Sequence, residues 1–300
     1  MVKVENFSSR DFNKLKPLNL PKSLAHQEAD LFLLESKNRW EKVDYIFKCF
    51  KSCKGTYFSN KLYTINELID KNDLIGIDEL IMPIVLGTVD KEIRGYIMPY
   101  IEGPNLKLLL ESSHVKIEQK IKYLKEIGVI LEKMRKVREY NGIPNFYLND
   151  LHEGNFILNA RTKKVNVIDM DSIKIGTNEP MLAKYLRPFS KIMDVPKYQK
   201  QDNGYFNTFI VDQNTDLYCY ILMIFNTLFH INVDDISVDE FYEYLEYLYN
   251  LGISREFIDI VANIYGNKDN ENPYEYLDDI VPFYDKINKD GMEKKLVRTI

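Results

Sequence analysis

The sequence predicts an α+β fold in which a small antiparallel β lobe carrying one helix precedes a larger, mainly helical lobe. Two observations lead to this prediction. In the first third of the chain, short runs of β-branched and aromatic residues alternate with turn residues, as in antiparallel strands. From about residue 105 onwards, apolar residues recur at three- and four-residue spacing, which is the pattern of amphipathic helices. A chain of 300 residues is long enough for two lobes.

The first lobe is predicted to contain four strands and one helix. The strands cover residues 29–35, 43–50, 84–88 and 94–100. Between the second and third strands, apolar residues at helical spacing predict a helix over residues 60–71. We place this lobe at residues 1–98 and a connecting hinge at residues 99–104.

The second lobe is placed at residues 105–300. It is predicted to begin with a long amphipathic helix over residues 116–140, which ends at the Asn141-Gly142 pair. Three short strand-like runs follow, and then one nearly all-apolar helix and two amphipathic helices. The runs cover residues 146–148, 156–159 and 165–168, and the helices cover residues 216–229, 239–250 and 255–264.

Composition and charge argue against several classes of protein. The net charge is −5 and no long basic cluster is present, so nucleic acid is not an expected partner. No apolar run is long enough to cross a bilayer, and the first residues lack the apolar core of a secretory signal. Three cysteines cannot build a disulfide framework in a chain of this size. We therefore expect a cytoplasmic protein without a membrane partner.

The residues that carry chemistry are concentrated in two segments, YLNDLHEGNFIL at 147–158 and VIDMD at 167–171. Phosphoryl transfer needs a carboxylate beside the attacking hydroxyl and oxygen ligands for Mg²⁺. Asp150 and Asn155 lie five residues apart across a polar turn, and Asp169 follows the next short strand. A loop between two small strands can direct Asp150 and Asn155 into one cleft, with Asp169 beside them.

These segments resemble the catalytic loop and the metal-binding segment of the protein-kinase-like superfamily, H-R-D-L-x-x-x-N and D-F-G. The resemblance implies a bilobal protein-kinase-like fold that binds ATP and Mg²⁺, with Mn²⁺ as a possible substitute. Asp150 would be the catalytic carboxylate, and Asn155 and Asp169 would be the metal ligands. The chain looks like a divergent, eukaryotic-like Ser/Thr protein kinase, and its many Lys, Asn, Ile and Tyr residues suggest a bacterial source.

The same resemblance assigns roles in the first lobe and the hinge. The strand YIFK, which ends at Lys48, is similar to the V-A-I-K strand. Lys48 would therefore contact the ATP phosphates, with Glu67 of the predicted helix as its ion-pair partner. Met98 corresponds to the gatekeeper residue, and the backbone of Pro99 and Ile101 would contact adenine.

The segment NTDLYCY, residues 214–220, resembles the start of the central helix of eukaryotic-like protein kinases. There Asp216 would hydrogen-bond the backbone of the catalytic loop and hold it rigid. An Asp near a helix start is also a common cap. Small-molecule kinases of the superfamily usually lack this element. The Asp-Leu-His-x-Gly-Asn form of the loop, by contrast, resembles aminoglycoside and choline kinases.

Two departures from the family pattern concern phosphate binding and regulation. No glycine occurs before Gly55, so the Gly-rich phosphate loop, expected near residues 21–28, is missing. No Arg precedes Asp150, so we expect activity without phosphorylation of the activation segment, residues 172–199.

Two further departures lie beside the expected catalytic residues. Asp171 replaces a small, flexible residue of the family pattern, and two roles fit it: a second metal ligand or a cap of the turn at Ser172. His152 stands where protein kinases carry a Lys near the γ-phosphate. Its ring fits either a hydrogen bond to that phosphate or packing beside the loop.

Three functions follow from these observations. The favoured prediction is a Ser/Thr protein kinase that transfers the γ-phosphate of Mg-ATP to a protein hydroxyl, because the expected catalytic residues are all present. A pseudokinase that binds a protein partner is the first alternative, and it is favoured by the missing glycines and by Asp171. A small-molecule kinase of the aminoglycoside or choline kinase type is the second alternative.

Overall fold

The computed structural model describes residues 4–18, 28–34, 44–177, 213–266, 268 and 271–287. Within these residues the chain forms a six-stranded mixed sheet, a separate two-stranded sheet and a series of helices. The predicted α+β class is therefore confirmed. In the described part of the chain, no helix is both long and apolar enough to cross a membrane.

The large sheet is built from β1 (Val4–Phe7), β2 (Lys16–Pro17), β3 (Ala29–Leu34), β4 (Tyr45–Phe50), β5 (Val85–Val89) and β6 (Glu92–Pro99). Its strand order is β1-β5-β6-β4-β3-β2. Strands β3 to β6 match the four predicted strands. The prediction of a wholly antiparallel sheet is wrong at one edge, where β1 runs parallel to β5. Both missed strands, β1 and β2, are short and almost wholly exposed, so they carry no alternating apolar pattern.

A short helix, α1 (Ser9–Phe12), lies between β1 and β2. Helix α2 (Gly55–Ile75) follows β4 and is longer than the predicted helix over residues 60–71. It ends at Gly76, whose φ of +56° is the left-handed conformation that glycine adopts without strain. Its buried face contributes to two separate clusters of buried apolar residues. Ile65 belongs to the cluster beneath the large sheet, and Leu68 belongs to the cluster among the later helices.

The second apolar cluster is formed by the elements that follow the large sheet. These are α3 (Leu106–Glu111), α4 (Ile117–Tyr140), β7 (Phe156–Leu158), β8 (Val165–Val167), α5 (Gln213–Ile224), α6 (Val238–Leu251), α7 (Arg255–Tyr265) and a 3₁₀ segment (Pro273–Phe283). The predicted long helices are confirmed, and the buried helix at 216–229 ends in a π-helical turn, Phe225–Phe229. Tyr220 anchors that helix through a 2.7 Å hydrogen bond from its hydroxyl to the Leu124 carbonyl oxygen.

The predicted strand-like run at residues 146–148 does not form a strand of either sheet. Only Tyr147 pairs, through two backbone hydrogen bonds with Lys174 of 3.0 and 2.9 Å. Strands β7 and β8 do form the expected antiparallel pair, in which Phe156 lies opposite Val167. This pair carries the polar turns before β7 and after β8, where the predicted site residues lie.

Residues 99–104, the predicted hinge, lie against β7. The Leu158 N–H donates to the Pro104 carbonyl oxygen at 3.0 Å, and the Ala160 N–H donates to the Glu102 carbonyl oxygen at 2.8 Å. A Cβ on Gly103 would lie 1.9 Å from the Leu158 carbonyl oxygen, so only glycine permits this approach. The end of the large sheet is thereby held next to the two-stranded sheet.

Candidate active site

The turn at residues 147–155, called here the Asp150 turn, is held by a buried carboxylate from another part of the chain. Asp216, in the first turn of α5, accepts hydrogen bonds of 2.8 Å from the backbone N–H groups of both Leu148 and Asn149. The predicted contact of Asp216 with this backbone is confirmed. Asn149 has a φ of +62°, a left-handed conformation that Asn tolerates better than most residues. The turn therefore presents the next residue, Asp150, from a fixed backbone.

Asn155 closes the turn from its other end. Its Nδ2 donates to the Asp150 carbonyl oxygen at 2.8 Å, and its backbone N–H donates to the His152 carbonyl oxygen at 3.0 Å. This orientation of the amide leaves the Oδ1 atom of Asn155 as a possible ligand atom. The Asp150 side chain is 31% exposed, so its carboxylate is accessible to a molecule bound in front of the turn.

His152 lies beside the Asp150 carboxylate. Its Nδ1 accepts a 3.0 Å hydrogen bond from the backbone N–H of Gly154, and its Nε2 lies 3.7 Å from an Asp150 carboxylate oxygen. Because Nδ1 is the acceptor, a neutral His152 ring carries its proton on Nε2, on the side of Asp150. Both of these contacts lie within the Asp150 turn, and a hydrogen bond from His152 to a phosphate stays a prediction.

Asp169 follows β8 and has a left-handed φ of +64°. Its carboxylate is mostly buried and contacts the Lys48 ammonium. Asp150, Asn155 and Asp169 line a single small pocket, together with apolar residues of β7 and β8. The three residues that the sequence singled out are therefore neighbours, and Lys48 adjoins them through Asp169.

Lys48 lies in β4, and its side chain is almost completely buried. Its Nζ contacts the carboxylates of Asp169 and, at 2.7 Å, Asp171. Burial alone would lower the pKa of this ammonium, but the two carboxylates outweigh burial and hold the pKa well above its ordinary value. A Cβ on Gly95 of β6 would lie 1.8 Å from the Lys48 carbonyl oxygen, so glycine is needed beside this strand.

The predicted ion pair of Lys48 with Glu67 is wrong in this structure. Glu67 pairs with Lys71, four residues further along the same helix. The residue of α2 that faces this region is Lys61, whose Nζ lies 2.7 Å from the Asp171 carboxylate. Lys61 and Glu67 are six residues apart, or about 240° around a helix with about 3.6 residues per turn. They cannot share a face, and spacing along the chain alone did not show which of them points inward.

Asp171 is the centre of a group of charges that we call the lysine network, made of Glu28, Lys48, Lys61, Asp169 and Asp171. Lys48, Lys61 and Asp171 are buried, whereas Glu28 lies at the exposed end of the network. The Asp171 carboxylate is 0% exposed. It contacts both lysines and accepts a 3.3 Å hydrogen bond from the Tyr96 hydroxyl. Burial alone would raise the pKa of Asp171, but the charges of Lys48 and Lys61 hold it well below its ordinary value.

The lysine network contains residues that sequence reasoning missed. Lys61 also contacts Glu28 at 3.0 Å, and Glu28 accepts a 2.5 Å hydrogen bond from the Tyr57 hydroxyl. A usable signal was present in α2, because Lys61 lies on the same helical stripe as the buried Phe58 and Ile65. A lysine on such a stripe needs a buried counter-ion. Asp171 also accepts a 3.3 Å hydrogen bond from the Ser172 hydroxyl, within the turn that the sequence suggested it would cap. Its role as the counter-ion of the two lysines was not predicted, and its role as a metal ligand stays a prediction.

Met98 and Ile101, at the end of β6 and in the hinge, share an apolar cluster with the residue before Asp169. Met98 is buried in the cluster beneath the large sheet, and Ile101 and Ile168 pack against the same cluster. Ile168 directly precedes Asp169 in the chain. Pro99 is the last residue of β6 and lies opposite Tyr45. The contacts of Met98, Pro99 and Ile101 with adenine stay a prediction.

Two oxygen-bearing side chains at this pocket suit a magnesium ion. Mg²⁺ in proteins is usually held by one or two carboxylates, with water and substrate phosphates completing its shell. Asp169 and the Oδ1 atom of Asn155 match that pattern. Within the described ranges, no group of three or more His, Cys, Asp or Glu side chains is arranged as a closed metal site. Residues 21–27 of the expected phosphate loop and 178–199 of the expected activation segment lie outside the described residues.

Comparison with known proteins found no match: neither a protein-family model nor a curated protein matches the chain.

Proposed function

We propose that the chain is an ATP-dependent phosphotransferase with a bilobal, protein-kinase-like architecture, acting on a Ser or Thr hydroxyl of a protein. The observation that carries this proposal is the shared pocket of Asp150, Asn155 and Asp169. Lys48, the residue expected at the phosphates, contacts Asp169 directly. A nucleophile-activating carboxylate, two oxygen ligands and a buried cation are the components that phosphoryl transfer requires.

The distribution of the two apolar clusters supports the bilobal part of the proposal. One cluster lies beneath the large sheet, and the other lies among the helices that follow. Residues 99–104 connect them, and α2 contacts both. Asp169 directly follows Ile168, which packs on the first cluster, while Asp150 lies two residues after Leu148, which is buried in the second. The candidate site would then lie where the two lobes meet, as in a nucleotide cleft.

In the proposed reaction, Asp150 orients the acceptor hydroxyl and accepts its proton as the oxygen attacks the γ-phosphorus. The bond from that phosphorus to the β–γ bridging oxygen breaks, and ADP leaves with the bond's electron pair. Its partial exposure and its fixed backbone suit that role. Asn155 and Asp169 would hold Mg²⁺, which neutralises charge on the phosphates. Lys48 would orient the phosphates, and its raised pKa keeps it charged at neutral pH. Most of the rate enhancement would come from alignment and from charge stabilisation.

The contact of Asp216 with the Asp150 turn favours a protein as the acceptor. Its two hydrogen bonds to the turn backbone correspond to the element that eukaryotic-like protein kinases use and small-molecule kinases usually lack. Transfer to Ser or Thr of a generic protein substrate, with no transfer to an aminoglycoside or to choline, is therefore the expected outcome of an acceptor screen.

One observation supports a pseudokinase as a second candidate. Lys48 already contacts two carboxylates, Asp169 and Asp171, within a buried network. A lysine so completely paired would bind phosphates only by exchanging or sharing a partner. If that exchange does not take place, the chain would act as a binding module for another protein.

Titration calorimetry with ATP, with and without Mg²⁺, separates these candidates. We expect Mg²⁺-dependent binding by the wild type and its loss in Asp169→Ala. Asp285→Ala, which removes an exposed carboxylate, serves as the control and should bind like the wild type. Failure of the wild type to bind ATP would contradict the phosphotransferase proposal and favour the pseudokinase.

A further inference from the structure

We infer that Asp171, and not Glu67, is the residue that positions Lys48 for the nucleotide phosphates, and that Lys61 is a second lysine held by the same carboxylate. This inference rests on the proposed function and concerns the same site. It makes Asp171 a positioning residue, because it acts through Lys48 and is not required to touch the nucleotide itself.

The first argument is the division of the Asp171 carboxylate between two lysines. Its Oδ2 lies 2.7 Å from the Lys48 ammonium, and its Oδ1 lies 2.7 Å from the Lys61 ammonium. The Tyr96 hydroxyl approaches Oδ2 at 3.3 Å. Each oxygen therefore has its own cation, and the carboxylate bridges β4 and α2. A bridging geometry of this kind fixes both ammonium groups relative to each other.

The second argument is burial. The Asp171 side chain is fully buried, and the side chains of Lys48 and Lys61 are 4% and 8% exposed. Charge interactions at such a position are screened far less than those at the surface. Without Asp171, two buried ammonium groups would face each other with less compensation. The carboxylate is thus required by the electrostatics of the site, whichever molecule binds there.

The third argument is the position of Asp171 in the chain. It follows Asp169, the proposed metal ligand, by two residues and lies in the 3₁₀ turn Met170–Ser172, which begins directly after Asp169. Lys48 contacts both carboxylates. Lys61 contacts Glu28 as well, at the start of the strand that follows the expected phosphate loop. The lysine network thereby connects the proposed metal segment, β4, α2 and the beginning of β3 in one unit.

Glu67 lacks the properties that would let it serve in place of Asp171. Its carboxylate is 25% exposed and pairs with Lys71 on the same helix. Partly exposed pairs of this kind contribute little, because solvent screens them. Glu67 therefore provides a matched control: a carboxylate on a neighbouring element, which the resemblance to kinases assigned to Lys48 and the structure does not.

The test measures Mg-ATP binding by calorimetry and Mg-ATP steady-state kinetics for Asp171→Asn and Glu67→Gln. We expect Asp171→Asn to weaken Mg-ATP binding by about tenfold or more. A Lys48 that is no longer held in place would lose about one charge-assisted contact with the phosphates. Glu67→Gln should stay within about twofold of the wild type. Lys48→Met provides the reference for complete loss of the phosphate contact.

A double variant separates the positioning role from a merely structural one. In Asp171→Asn combined with Lys61→Met, the like-charge repulsion is relieved, so thermal stability should recover towards that of the wild type. Mg-ATP binding should stay weak, because Lys48 has still lost its bridging carboxylate. This variant also serves if the single Asp171→Asn variant does not fold.

The possible outcomes distinguish this inference from the proposed function. If the wild type binds Mg-ATP and Glu67→Gln abolishes that binding while Asp171→Asn leaves it intact, the inference is wrong and the proposed function stands. If binding recovers together with stability in the double variant, Asp171 is structural only. If the wild type binds no Mg-ATP, both the proposed function and the inference fail.

Discussion

The Asp150 turn and the lysine network are adjacent, yet they are held by different kinds of interaction. The turn is held through its backbone: two of its N–H groups donate to Asp216, and the Asn155 side chain donates to the Asp150 carbonyl oxygen. The Asp150 carboxylate stays partly exposed. The network is held by charged side chains from separate segments, and Asp171 at its centre is fully buried. Under the proposed function, the first arrangement would give an acceptor access to Asp150. The second would provide fixed charges for the phosphates, because burial limits screening and movement.

This difference predicts that activity can be separated from stability at the Asp150 carboxylate, whereas the two are coupled in the lysine network. At the Asp150 turn, the partly exposed carboxylate can be replaced without a cost to folding, because the backbone contacts remain. In the lysine network, a single change of charge at Lys48, Lys61 or Asp171 should affect both folding and binding, because these three side chains are buried and lose a paired charge.

The largest expected effect is on the rate of phosphate transfer after Asp150→Ala. Loss of the general base should lower this rate by about 10²- to 10⁴-fold, while Mg-ATP binding and thermal stability stay near the wild-type values. Single-turnover transfer to a protein substrate, calorimetry and thermal unfolding measure the three quantities. Glu153→Ala, which removes the other carboxylate of the same turn, is the control and should transfer phosphate normally. An unchanged rate in Asp150→Ala would contradict the assigned role.

The next effect concerns the backbone support of the turn. Asp216→Ala removes the acceptor of two buried N–H groups and should lower the free energy of unfolding by about 2–4 kcal/mol. Phosphate transfer should fall as well, because the turn loses its fixed backbone. Urea unfolding gives the stability. Asp239→Ala is matched to it, since Asp239 also lies in the first turn of a helix but is exposed. It should cost about 1 kcal/mol or less, and equal losses in the two variants would refute the special role of Asp216.

The smallest effect is the dependence of stability on acid pH. The pKa of Asp171 is lower in the folded protein than in the unfolded chain, where it is about 4. Its contribution to stability is therefore fully present above about pH 4 and is lost as the pH falls further, towards the folded pKa. The test compares the single variant Lys61→Met with the double variant Lys61→Met/Asp171→Asn, which differ only at residue 171. The difference between the unfolding free energies of these two variants should become smaller as the pH is lowered from 7 to about 3. A difference that is constant with pH would show that Asp171 is not the titrating group.

The main elements of the fold were predictable because their signals are local. Strands β3 to β6 and the long helices bury one face or more, so apolar periodicity marks them. The strands β1 and β2 escaped prediction because they are short and mostly exposed. The parallel pairing of β1 with β5 joins residues about eighty positions apart, such as Val4 and Leu86. Such a pair has no hairpin turn between its strands from which the pairing could be predicted.

The candidate site divides in the same way. Asp150, Asn155 and Asp169 could be singled out from their spacing, because two short paired strands and their turns hold them close together. Lys61 could not be connected with Asp171, since 110 positions separate them in the chain. Glu67, the residue wrongly assigned to Lys48, lies on the same helix as Lys61. Which of the two side chains points inward depends on how the helix is oriented about its axis.

Local signals were enough to identify the α+β class and the three polar residues around the Asp150 turn. Periodicity and motif spacing act over a few residues, and the backbone geometry of strands and turns translates them directly into neighbours. Which charges meet could be read only from the packed chain, where Lys48 pairs with Asp171, Lys61 points inward and Glu67 pairs with Lys71. Ion pairing depends on distances of a few ångströms between elements, and those distances are set by how the buried faces of α2, β4 and the turn after β8 pack together.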